Sequence, residues 1–253
     1  MDRAGARPLY CGFVTTSNRI LPMSPRSFAA LALLAATACS DAPAPPQRAV
    51  NPLRDSIRVR AMNRFRERPD SLISRVDTAR ILGSPAARVW VVFVGELQCA
   101  KCATSLHELI PVIRREYVET GKVRLAYVNA GPPADTVYNS GFAATAAFCA
   151  GIGGKFWEAL DIIATQHDAW AGLDDPQPLL DSLAVRAGAN AEQQAMCRTG
   201  RRMLPMLLWD KERAEASRVT ELPTVLIDEE PMTGDLSLTA VRRAIDRALA
   251  RAK

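Results

Sequence analysis

Metal-ligating side chains are scarce in this sequence. Its 253 residues hold only two histidines, His107 and His167, and a single C-x-x-C, formed by Cys99 and Cys102. A structural zinc site takes four ligands at set spacings, so the chain offers half of one, and no metal is expected. Long apolar runs are lacking too. The stretches at residues 28–38 and 89–94 are both too short to span a bilayer. The chain also has little net charge once its leader is set aside. Residues 1–38 carry Arg3, Arg7, Arg19 and Arg26 against Asp2, and their removal takes the formal net charge from +5 to +2. The basic balance of the whole chain is then no argument for a nucleic-acid partner, and none is expected.

What is present centres on residues 89–102. Six apolar residues, Val89 to Val94, are rich in β-branched and aromatic types and suit a strand buried on both faces. From Cys102 the period changes. Leu106, Ile110, Ile113 and Tyr117 share one face of a helix that stops at Thr120 and Gly121. The C-x-x-C therefore sits where a strand hands over to a helix N-terminus, whose unpaired N–H groups and dipole favour a thiolate on Cys99. Such placement takes a thiol pKa from about 8.5 to roughly 3.5–7.5. Cys102, one turn on, is close enough to close a disulfide with Cys99 or to resolve a mixed disulfide there, and Lys101 adds a cation. Exchange between paired thiols needs no bound cofactor. Paired thiolates also suit copper(I), but no Met or His lies within four residues of the pair.

Upstream, residues 1–22 read as preceding the true start at Met23, and residues 23–38 as a secretory signal whose h-region is Phe28 to Ala38. Cys39 after three small residues resembles the lipobox of bacterial lipoproteins, with Ala36 where Leu is usual. That resemblance implies lipidation at Cys39 and a membrane anchor. The alternative is ordinary cleavage near Ala38 and a soluble secreted protein. Residues 41–52 are rich in Pro and Ala and read as an extended tether. The run Arg54, Arg58, Arg60, Arg64, Arg66 and Arg68 reads as a solvated helix or arm, or as a basic helix on anionic lipid. Residues 39–70 together form anchor and linker.

The globular part is expected over residues 71–253. Residues 78–82 read as a short strand, and Gly83-Ser84-Pro85 breaks it. Residues 123–129 read as a strand parallel to the first, which implies a right-handed crossover and a three-layer α/β sheet. Residues 135–202 contain no convincing strand but several helical patterns, so they form a helical insertion. A helix over 205–217, strands at 223–228 and 231–233, and a closing helix carrying Leu238, Val241, Ile245 and Leu249 complete the order β-α-β, insertion, α-β-β-α.

These motifs together resemble the DsbA-like thioredoxin-fold oxidoreductases. The string Ile81-Leu-Gly-Ser-Pro-Ala-Ala-Arg-Val-Trp-Val-Val-Phe-Val-Gly-Glu-Leu-Gln-Cys-Ala-Lys-Cys102 is similar to that family's entry into its redox helix. Further matches are Tyr117-Val-Glu-Thr-Gly-Lys-Val-Arg124, Ala146-Ala-Phe-Cys-Ala150, Gly154-Lys-Phe-Trp157 and Leu222-Pro-Thr224. They come in the family's order and cover roughly residues 80–250. The resemblance implies an α/β thioredoxin-like fold with a helical insertion between its βαβ and ββα halves. It implies Cys99 as attacking thiol, Cys102 as resolving thiol and Pro223 as a cis-proline facing them, with Leu222 and Thr224 beside a bound substrate strand. Glu96 stands where the family often has an acid. It is either a proton carrier for Cys102 or a solvated residue at the strand end. Ala100 and Lys101 replace the family's usual Pro-Tyr or Pro-His pair. Cys149 and Cys197 are either bridged or separately buried on helix faces, and the family's cysteine positions imply a structural bridge.

The expected protein is thus a thiol-disulfide oxidoreductase on the periplasmic side of a bacterial envelope. Its partners would be exported client proteins and a membrane redox protein that regenerates its disulfide. The stable thiolate argues for an oxidase. The alternatives are a reductase or isomerase of the same chemistry, and a copper(I) carrier or scaffold without turnover.

Overall fold

Alternating apolar residues and two helical faces that need cover make this chain fold as layers. The structure, a computed structural model, describes residues 71–131 and 139–252. The expectations for the leader, Cys39, the linker and the first residues of the insertion fall outside the described residues. In chain order the elements are α1 (Ser71–Ala79), β1 (Ile81–Leu82), β2 (Val89–Gly95), α2 (Ala100–Ile113) with a π-helical turn at Arg114–Val118, and β3 (Val123–Asn129). The insertion follows as α3 (Ser140–Gly151), α4 (Phe156–Thr165), α5 (His167–Trp170), α6 (Gln177–Arg186) and α7 (Ala191–Thr199). Then come α8 (Leu204–Ala216), β4 (Thr224–Ile227), β5 (Glu230–Met232) and α9 (Leu238–Arg251). Among the described residues no helix is long and apolar enough to cross a membrane.

The five strands lie in the order β1-β3-β2-β4-β5. β2 and β3 are parallel, with Val89 opposite Val123 and Gly95 opposite Asn129. The parallel pair needs a crossover, which α2 supplies. β4 runs antiparallel to β2, with Thr224 opposite Val94. The face carrying Val89, Val91, Phe93, Leu125 and Tyr127 belongs to the main core together with Leu106, Leu109 and Ile113 of α2 and Val241 and Ile245 of α9. On the other face Val94 and Leu226 pack with Ala214 of α8. Helices on both faces make the sheet the middle of three layers.

The stop after α2 is chemical. Gly121 adopts φ +72°, where an L side chain is strained, and the N–H groups of Gly121 and Lys122 close back on the carbonyls of Val118 and Tyr117 at 2.9 Å. One expectation is corrected. Residues 78–82 are not a strand, because Thr78 and Ala79 end α1. Only Ile81 and Leu82 pair with β3. The Thr78 hydroxyl donates to the Ser74 carbonyl at 2.9 Å, a bond available inside a helix. Arg80 then turns inward to the fully buried Asp210 of α8.

Candidate functional site

The residues between β2 and α2 are held from below and from the side. Leu97 is fully buried and anchors the loop. Gln98 is bound by the insertion at three atoms. Its Oε1 accepts from the N–H of Ser140 at 3.2 Å, its Nε2 donates to the Ala171 carbonyl at 3.3 Å, and its own carbonyl lies 3.0 Å from His167 Nε2. The insertion is therefore the outer wall of the site. It fixes the peptide that leads into Cys99.

Cys99 caps α2. Its backbone is extended, at φ −78° and ψ 110°, and its Sγ accepts from the N–H of Cys102 at 3.1 Å. The first turn carries no acidic side chain, so nothing there opposes the helix N-terminus in stabilising negative charge on that sulfur. Cys99 and Cys102 are joined as a disulfide with their Cα atoms 5.2 Å apart. Cys102 is fully buried whereas Cys99 is half-buried. An incoming thiolate meets the Cys99 sulfur first. Ala100 and Lys101 are exposed on the open side of the turn.

The floor is polar and close-packed. A Cβ at Gly95 would come 2.7 Å from the Phe93 ring and 3.5 Å from the Cys102 Cβ, so glycine is what lets β2 pass beneath the disulfide. The Tyr127 hydroxyl donates toward the Gly95 carbonyl and toward Asn129 Oδ1, each at 3.4 Å. Burial, with Asp210 and Glu96 adding negative charge nearby, pushes the Tyr127 hydroxyl well above its ordinary pKa. Glu96 Oε2, Asn129 Nδ2 and Ser140 Oγ are buried without a hydrogen-bond partner. A Cβ at Gly131 would fall 2.3 Å from that Ser140 oxygen and 2.9 Å from that Glu96 oxygen, so both border the space that Gly131 leaves open. Such groups are costly unless they find partners.

The peptide bond between Leu222 and Pro223 is cis, as expected. The pairing of Thr224 with Val94 sets Pro223 across from Gly95, at the end of β2 from which the redox loop departs. Leu222 is half-buried. Thr224 is fully buried and its hydroxyl donates to the Glu221 carbonyl at 2.7 Å, which ties the turn before the proline. Cys149 of α3 and Cys197 of α7 are bridged, with Cα atoms 5.8 Å apart and both sulfur-bearing residues buried. A groove of about 610 Å³ on the opposite sheet face is lined by Trp90, Val92, Val94, Val128 and Leu226 and touches neither Cys99 nor Pro223.

The structure thus brings Cys99, Cys102, Lys101, Glu96, Leu222 and Pro223 to one end of the sheet. Sequence reasoning missed Gln98, Tyr127, Asn129, Gly131, Ser140 and His167. The last of these reaches the site across 69 residues, and no periodicity signals such a contact.

A family profile described as Thioredoxin matches residues 75–247. No curated protein matches the sequence. Among solved structures, the fold is similar to BdbD from Bacillus subtilis, at TM-score 0.58 and 18% identity, covering 68% of this chain and 92% of that one. DsbA of Chlamydia trachomatis gives TM-score 0.59 and 19% identity, covering 69% and 92%. MdbA of Corynebacterium diphtheriae, a thiol-disulfide oxidoreductase, gives 0.54 and 18%, covering 65% and 88%. Identities this low speak for the fold.

Proposed function

The chain belongs to the thioredoxin family, and from that membership and the geometry of its disulfide we propose that it is a thiol-disulfide oxidoreductase donating the Cys99–Cys102 disulfide to exported client proteins. One observation carries the reading. A disulfide whose half-buried sulfur caps a helix N-terminus and whose buried sulfur lies one turn behind it is built for attack from one side.

A client thiolate attacks Cys99 Sγ. The Cys99–Cys102 bond breaks, Cys102 leaves as thiolate, and the client is held in a mixed disulfide with Cys99. A second client thiolate attacks the client sulfur of that bond, and Cys99 departs as a thiolate under the helix N-terminus. The client loses two electrons and gains a disulfide, and the cysteine pair gains the two electrons. Cys102, sealed from solvent, takes its proton through Glu96, whose buried oxygen borders the floor of the site. The backbone of Leu222, before the cis-proline, offers an edge for an extended client segment, and Thr224 holds that edge in place. Lys101 adds positive charge beside the thiolate.

The same reading places the protein at the cell envelope, with Cys39 as a lipid anchor and a membrane redox partner that reoxidises the pair.

The reduction potential of the pair, measured in glutathione buffers with alkylation of free thiols, is the test. A value near the roughly −120 mV of DsbA is expected. A value near the roughly −270 mV of thioredoxin overturns the oxidase role and leaves a reductase or isomerase. A pair that forms no disulfide at any poise overturns thiol exchange itself.

A further inference from the structure

His167 stands in the first turn of α5 with its ring edge-on to Trp170, the two centroids 5.6 Å apart. Both of its nitrogens face oxygens. Nε2 is 3.0 Å from the Gln98 carbonyl and Nδ1 is 2.9 Å from Asp168 Oδ1. A carbonyl never donates, and neither does an ionised carboxylate, while a neutral imidazole has a single N–H. Either neutral tautomer would therefore turn a lone pair on one of these oxygens. Only the imidazolium donates to both. The Gln98 carbonyl belongs to the peptide that enters Cys99, so this ring sits against the residue whose sulfur caps α2.

We propose that His167 is a positioning residue whose proton is coupled to the redox state of Cys99, so that the protein takes up an extra proton on reduction and oxidises clients more strongly as the pH falls. This rests on the oxidoreductase reading. Reduction by a dithiol client delivers two electrons to the disulfide and leaves Cys99 as thiolate and Cys102 as thiol, with one proton taken up at Cys102. In the pH range where His167 of the oxidised protein is partly neutral, the new thiolate draws a further proton onto the imidazole. By reciprocity the imidazolium stabilises the thiolate to the same extent.

Asp168, on the same short helix, is fully exposed, so its pull on the ring is weakened by solvent. Lys101 lies exposed on α2. His107 of α2 is taken up with Asp161 of α4 at 3.4 Å. Glu96, in the redox loop, turns a buried oxygen to the floor.

The experiment is a histidine NMR titration of the full chain, in the oxidised form and after reduction by a phosphine, with the His167 signal assigned through His167→Gln. The expected result is a His167 midpoint about one pH unit higher in the reduced form. His167→Gln keeps a donor for the Gln98 carbonyl but carries no charge. It is expected to raise the Cys99 thiolate midpoint, read by thiolate absorbance, and to shift the glutathione equilibrium about tenfold toward the disulfide. A His167 midpoint identical in the two redox states, with an unchanged thiolate titration in His167→Gln, overturns the proposal. Phosphine reduction needs no exchange activity. A wild-type protein inert to glutathione therefore sinks the oxidoreductase reading separately, and normal exchange with an uncoupled His167 sinks only this inference.

Discussion

The two disulfides differ in their surroundings as well as in their span. Cys99–Cys102 closes a loop of three residues at the rim of the sheet, and Cys149–Cys197 closes one of 48 residues between α3 and α7. The first has one half-buried sulfur at a helix N-terminus, with an N–H aimed at it. The second has both cysteines inside the main core, at 1% and 2% exposure. In the chain-entropy account a loop of 48 residues contributes about 4 kcal/mol, whereas so short a loop as the first contributes under about 2 kcal/mol. One bond is thus open to an incoming thiolate and the other is closed to it.

The sharpest way to break that comparison is to remove single sulfurs. Cys99→Ser is expected to abolish exchange with glutathione and with reduced client peptides, a loss of several orders of magnitude. Cys102→Ser is expected to accumulate mixed disulfides on Cys99, visible by mass spectrometry under non-reducing conditions. Equal loss without trapping in both variants would mean that Cys99 is not the attacked atom. Replacing both staple cysteines, Cys149→Ala with Cys197→Ala, is expected to leave the exchange rate unchanged and to cost about 4 kcal/mol in urea unfolding. Lost exchange in a folded double variant would make the second bond part of the chemistry.

How much of this was readable beforehand follows from the range of the interactions. β2, α2 and β3 came out close to their observed limits because each is set by local periodicity and by breakers such as Gly121. The placement of Cys99 and Cys102 was readable for the same reason, since strand, C-x-x-C and helix are contiguous. What escaped is non-local. Arg80, read as part of a strand, is drawn into the core by Asp210, 130 residues away. Asp210 also accepts from the N–H of Asn129 at 2.9 Å, at the end of β3 beneath the site. No local pattern announces an arginine that will be buried. The grip on Gln98 is hidden likewise, because its partners Ser140, His167 and Ala171 lie in the insertion.

The smallest expected effect separates covalent staples from ionic ones. Neither disulfide titrates, so the acid limb of the stability curve belongs to groups such as Asp77 of α1, which pairs with Arg80 and, at 3.2 Å, with Arg213 of α8. Burial pushes the Asp77 carboxyl up, but Arg80 and Arg213 outweigh it and hold it below its ordinary value of 3.8. A carboxyl depressed in the folded state contributes stability that is fully present above the unfolded value and is lost as pH falls through the folded one. Unfolding free energy is therefore expected to decline below about pH 4, and Asp77→Asn is expected to flatten part of that decline. At neutral pH the variant should cost only about 1 kcal/mol, because Asp77 is partly exposed and Arg80 keeps Asp210. Urea titrations from pH 3 to pH 7 check both. An acid limb of unchanged steepness in Asp77→Asn would move the acid sensitivity to other paired carboxylates, such as Asp181 with Arg198 and Glu116 with Arg242.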